Sequence, residues 1–344
     1  LTAWPIGTIS GKGHQTVNTS SLFTKRSISG LVVVAIALGG MWYFDSARPS
    51  ELGNANLTPL AATLLHSIPP VAQSVLLYSL LVGCALVAQR LLLIFTNGTV
   101  RGQLPLLLLP LLATVVPIAT GQALIATIAL GLALWAIVLI LSDRAEANPP
   151  SAAFRGSLLV GIAALLYPAA LAWGVIPLVF ERKTISVSFA KIVLVPLGIA
   201  LPAGVLAFYS YMMGIPLPEL MPSYIPILPQ WDTALGFAQV HPLPLAYWGV
   251  MLAVWIATVL SPIKPHIARM SSFLYARSVN RIFVPLSLVG AWIYGDFGGG
   301  FISLSLPIST AIAYHFSLAR PTWWRQLILW LLLLGGIAAV LIGE

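Results

Sequence analysis

Residues 156–180 read GSLLVGIAALLYPAALAWGVIPLVF, and the way this run folds decides the topology of everything after it. The run carries no charged residue. A helix needs roughly 20 apolar residues to cross about 30 Å of hydrocarbon, so the run has the ordinary length of one tilted span. At its middle, however, sits Tyr167-Pro168. Proline lacks the amide proton that a helix interior uses, so it kinks or breaks the helix. Each side of the break is about 20 Å of helix. The run is therefore either one crossing or two half-helices that enter and return as a re-entrant hairpin.

The rest of the chain has the same character. Of 344 residues, 59% are hydrophobic and 8% are charged. A soluble domain carries roughly a quarter charged residues, so no water-facing surface can be built from this mixture. Further apolar runs occupy 29–44, 71–95, 104–119, 122–141, 190–213, 243–261, 282–295, 300–319 and 326–343. Backbone groups cannot stay unpaired in lipid, which leaves helices or a closed barrel. The runs are too long, and too free of period-two alternation, for barrel strands. The expected fold is all-α: a polytopic transmembrane bundle of about 9–10 segments. Residues 1–28 form a polar N-terminal tail, and 29–344 form a single transmembrane domain. No small-residue cleavage site follows 29–44, so that run is expected to be retained as the first helix.

The basic residues give a direction. They cluster at Lys12, Lys25 and Arg26; Arg90 and Arg101; Arg144 and Arg155; Arg182, Lys183 and Lys191; Lys264, Arg269, Arg277 and Arg281; and Arg320 and Arg325. The intervening loops hold only Arg48. If 156–180 crosses, this alternation inverts after Arg155. If it returns, every base except Arg48 falls on one side, which the positive-inside rule makes cytoplasmic, together with the N-terminus. The net charge of +8 is then topological. No basic motif points to nucleic acid.

Most carboxylates collect on the opposite face: Asp45, Glu51, Glu219, Asp232, Asp296 and Glu344. Asp45 and Arg48 follow the first helix. An aspartate there suits a base on an acceptor, and an arginine suits a donor phosphate, as in a membrane glycosyltransferase using a lipid-linked donor. The plain alternative is an ordinary charged helix end. Asp232 and His241 lie in a proline-rich segment, 214–242, that reads as a lid or as interfacial packing. His315 sits in a membrane helix, where a histidine is either functional or part of interhelical packing. Asp296-Phe-Gly-Gly-Gly300 looks like a kinase triplet without kinase context. It reads as a tight turn with glycines at positive φ. Arg90 and Lys191 are expected to snorkel to the headgroups. Trp292, Tyr294, Trp323 and Trp324 are expected at the interfaces. Cys84 is the lone cysteine, which excludes an internal disulfide. No metal-ligand spacing or cofactor motif is present, so neither is expected.

The stretches 153–168, 197–202, 208–214, 302–309 and Tyr314-His315-Phe316 resemble an uncharacterised multi-pass inner-membrane protein family of the Bacteroidota. The resemblance implies a bacterial cytoplasmic membrane location and carries no activity to any residue. Few intramembrane charges, small loops and no catalytic motif point to a non-catalytic subunit or accessory factor of a larger cell-envelope membrane complex. Its partners would be the lipid bilayer and other membrane subunits. The alternatives are the glycosyltransferase-like enzyme and a transporter.

Overall fold

A computed structural model describes residues 58–95, 104–115, 118, 120–141, 149–180, 187–214, 242–260, 271–318 and 323–342. In chain order these form α1 (Pro59–His66), α2 (Pro70–Phe95), α3 (Leu104–Thr114), α4 (Thr120–Leu141), α5 (Pro149–Leu166), a 3-10 helix (Pro168–Gly174) and α6 (Val175–Val179). There follow α7 (Phe189–Met213), α8 (Pro242–Leu260), α9 (Ser271–Tyr294), α10 (Phe297–Leu318) and α11 (Trp323–Ile342). The fold is an all-α bundle. Among the described residues five helices, α2, α4, α5, α7 and α8, are long and apolar enough to cross a membrane. The run 104–119 makes a shorter element than its apolar length suggests. Helix α3 has 11 residues, all buried, and at about 16 Å it is an interior helix rather than a span. The tail and the run 29–44 lie outside the described residues.

Helix α10 is the centre, packed on α9, α3, α4 and α8. Ser303, Ser305 and Ser309 are buried on it, and each hydroxyl donates to the carbonyl three residues back, at 2.6–3.0 Å. Serines satisfied in this way are small enough to let neighbouring helices approach.

The chain breaks at Tyr167-Pro168 and then turns back. Helix α5 ends at Leu166, and Tyr167 is extended, with φ −133° and ψ 94°. The Ala169 carbonyl lies against Gly290 of α9. Trp173 donates its indole N–H to Ser287 at 3.1 Å and stacks on Phe283 at 5.3 Å. The 3-10 limb therefore runs down α9 from its C-terminal end toward its middle. Helix α5 runs the other way: Gly156 faces Ile140 near the end of α4, and Tyr167 faces Gly299 near the start of α10. Lys191 Nζ then donates to the Phe180 carbonyl at 3.5 Å, and Ile199 touches both Gly161 and Gly174. So α7 starts where the returning limb ends and runs parallel to α5. Residues 149–180 therefore form a helical hairpin, with antiparallel limbs about 27 Å and about 20 Å long.

The hairpin differs from the sequence expectation in three details. Its first limb begins at Pro149, not 156. Its second limb is not a simple α half-helix, but a seven-residue 3-10 helix followed by five α residues. Lys191 does not snorkel: it is fully buried, with its ammonium donating to the buried carbonyl that closes α6, where a cation also meets the negative helix end. Arg90 is exposed. The turn itself is closed from outside. Pro168 has no N–H, so the last carbonyls of α5 lack helix donors. Thr58 supplies one, its hydroxyl shared between Leu165 O at 3.1 Å and Leu166 O at 3.4 Å.

With the hairpin in place, α5 and α7 run one way and the limb between them runs the other. Arg90, Arg155, Lys191, Arg277, Arg281 and Arg325 all sit toward one end of the bundle, and Asp296 sits at the other. This is the charge asymmetry that the returning run requires.

One polar node was not visible in the sequence. Asn280 donates to Pro307 O and Thr310 Oγ1, both at 2.8 Å, and accepts from Trp255 Nε1 at 2.9 Å. It thereby ties α8, α9 and α10 together, and it satisfies a carbonyl in the helix that Pro307 interrupts. Asn280→Leu should strand the Trp255 donor and cost about 1–2 kcal/mol. The check is the midpoint of reversible SDS-induced unfolding, which should fall. An unchanged midpoint would show that the node adds nothing to stability.

Candidate functional site

Helix α9 ends at Gly295, which takes φ 65°, a left-handed conformation natural only to glycine. Asp296 follows and caps α10: its Oδ1 accepts the Gly299 amide at 3.0 Å, the usual office of an N-terminal aspartate. The same oxygen accepts Gln122 Nε2 from the first turn of α4 at 2.6 Å. Glycines 298–300 do not supply the positive φ expected of them; Gly295 does. They form the first turn of α10 and are small because of what faces them. A Cβ on Gly299 would stand 2.6 Å from Asp296 Oδ2 and 2.8 Å from Tyr167 Oη, and one on Gly300 would stand 2.6 Å from Ala291 Cβ.

Three elements therefore meet at this end of the bundle: the head of α4, the tip of the hairpin and the start of α10. Asp296 and Tyr167 are 6% and 5% exposed. Among the described residues Tyr167 Oη has no hydrogen-bond partner, although it is sealed from solvent. The cost of desolvation raises the Asp296 pKa above the ordinary carboxylate value, and the bonds from Gly299 and Gln122 oppose that rise. No neighbouring cation contributes among the described residues. The site thus pairs a buried carboxyl group with a hydroxyl that no described residue bonds. It contains no nucleophile–base pair, and no group of three or more His, Cys, Asp or Glu able to hold a metal ion occurs among the described residues.

The residues singled out from the sequence are not gathered here. Asp45, Arg48, Asp232 and His241 lie outside the described residues. His315 is half-buried toward the far end of α10, its ring edge-on to Phe316 at 6.0 Å. Gln122 and Tyr167 escaped the sequence reading as site residues. Their signals were a lone amide near the head of a uniformly apolar helix and a tyrosine at a proline break, and neither marks a carboxylate far along the chain without the fold. Compared with protein-family profiles, curated proteins and solved structures, the chain matches none.

Proposed function

We propose that this chain is a non-catalytic subunit or accessory factor of a larger cell-envelope membrane complex. It would lie in the bacterial cytoplasmic membrane, with the basic end of the bundle and the N-terminus in the cytoplasm. The interior polar groups support this reading. Asn280, Thr58, Trp173 and Tyr247 spend their hydrogen bonds holding helices together. The observation that carries it is the outer side of α7. Within this helix only Lys191, Val195, Gly198, Pro202 and Ser210 are buried. Phe208, Tyr211, Met212 and Met213 are 60–76% exposed near its C-terminal end. Aromatic and methionine side chains concentrated in this way suit a protein interface better than an acyl-chain surface of Leu and Val.

The test is a photo-crosslinking amino acid placed at Phe208 and at Tyr211, with Trp135 on α4, which is 63% exposed, as the control. A discrete adduct with a second polypeptide at the α7 positions alone supports the proposal. Lipid adducts only, at all three positions, would contradict it.

A transport reading has one observation in its favour: a broken, protein-covered helix whose tip meets a buried carboxylate, an arrangement that membrane carriers use for ions. Solute flux in reconstituted vesicles tests it, and vesicles no more permeable than protein-free ones would exclude it for the solutes tried.

A further inference from the structure

The Asp296 carboxylate and the Tyr167 hydroxyl present a problem that protein atoms alone do not solve. Oδ1 has two donors, whereas Oδ2 and the edge of the Tyr167 ring flank Gly299, where an added Cβ would stand 2.6 Å from Oδ2 and 2.7 Å from Tyr167 Cε2. Oδ2 and Tyr167 Oη both lie within 2.8 Å of the position that a Gly299 Cβ would take, yet Tyr167 Oη forms no hydrogen bond to any group among the described residues. A buried carboxylate keeps its charge only when that charge is paired. A hydroxyl oxygen brings lone pairs to an incoming cation and no charge of its own.

We propose that the gap between Asp296 Oδ2 and Tyr167 Oη is a binding site for one small alkali cation of sodium type. Hard cations of this class take oxygen ligands. Here a carboxylate oxygen and a phenol oxygen flank Gly299 without bonding, and the Gln122 side chain has its amide nitrogen already committed to Oδ1. The single negative charge sets the valence: one carboxylate neutralises a monovalent ion and leaves a divalent ion half uncompensated. Gly299 is part of the site, because any side chain there would fill it. The tip of the hairpin supplies Tyr167 and α10 supplies Asp296, so a bound ion would fasten the hairpin to the centre of the bundle. This inference goes beyond the subunit reading and does not depend on it.

The experiment is thermal unfolding of the full chain in detergent, in sodium chloride against choline chloride at equal ionic strength and at two pH values. The wild type should unfold roughly 3–6 °C higher in sodium at concentrations well above Kd. Asp296→Asn keeps the acceptor for Gly299 and Gln122 but loses the charge, and it should abolish the sodium shift. Tyr167→Phe removes only the hydroxyl and should weaken the shift at least several-fold in apparent Kd. Gly299→Ala, which blocks the gap, should also remove it. Equal unfolding temperatures in the two salts would overturn the proposal. So would a shift that follows pH and not sodium, or a sodium shift that survives in Asp296→Asn. If Asp296→Asn fails to fold, Tyr167→Phe and Gly299→Ala decide the matter alone.

Discussion

Trp173→Ala is expected to lower the stability of the bundle by about 3–5 kcal/mol, the range for deleting a fully buried aromatic side chain. Trp173 is 1% exposed, stacks on Phe283 at 5.3 Å and donates to Ser287 at 3.1 Å. It is the largest side chain on the returning limb and the one that joins that limb to α9. Removing it empties a space enclosed by protein, where neither lipid nor water replaces the lost dispersion contacts. Trp135→Ala serves as the control. That side chain is 63% exposed, and its loss should cost less than about 1 kcal/mol. The midpoint of SDS-induced unfolding measures both. Equal effects would mean that the returning limb is not held where the fold places it.

Gly161→Leu should be comparably damaging, at about 3 kcal/mol. A Cβ at Gly161 would stand 2.6 Å from the Ile199 carbonyl oxygen and 3.0 Å from Ile199 Cα. Both are backbone atoms, so no side-chain rotation relieves the contact, and α7 must move as a whole. Across the same contact, a Cβ at Gly198 would press on Ser157 and on the Phe154 carbonyl, the latter at 2.9 Å. Small residues on both faces bring the two backbones together, as in other close-packed membrane helices. Gly204 lies on the same helix with nothing within 4 Å of its Cβ position. Gly204→Leu should therefore change stability by less than about 0.5 kcal/mol. A like loss for both substitutions would point to glycine flexibility rather than to close packing.

These two sites also show how far the sequence could be read. The helical bundle follows from composition and from the length of the apolar runs. The reversal at Tyr167-Pro168 followed from a proline at mid-run together with the phase of the basic residues, because the cost of placing bases on the wrong side is topological and leaves its mark in one dimension. What stayed hidden depends on three-dimensional neighbours. Lys191 looked like a headgroup-seeking base, because nothing in its own helix shows that the closing carbonyl of α6 would lie above it. Asn280 drew no notice in the sequence, since its three partners come from two other helices. The glycines after Asp296 suggested a turn, whereas their smallness answers to Tyr167 and Ala291. The cluster of Gln122, Tyr167 and Asp296 spans three elements, and no local pattern links them.

The central structural claim is that residues 149–180 enter and return. Cysteine labelling tests it most directly, with single cysteines in a Cys84→Ala background, where the native thiol is buried in any case. Ser151→Cys stands at the head of α5 and Val187→Cys just before α7, with Val187 55% exposed. Ser67→Cys, exposed at the end of α1, marks the opposite end of the bundle. With a membrane-impermeant maleimide, the hairpin predicts that positions 151 and 187 label from the same side and position 67 from the other. Labelling of 187 together with 67 would contradict it and would make 156–180 a simple crossing.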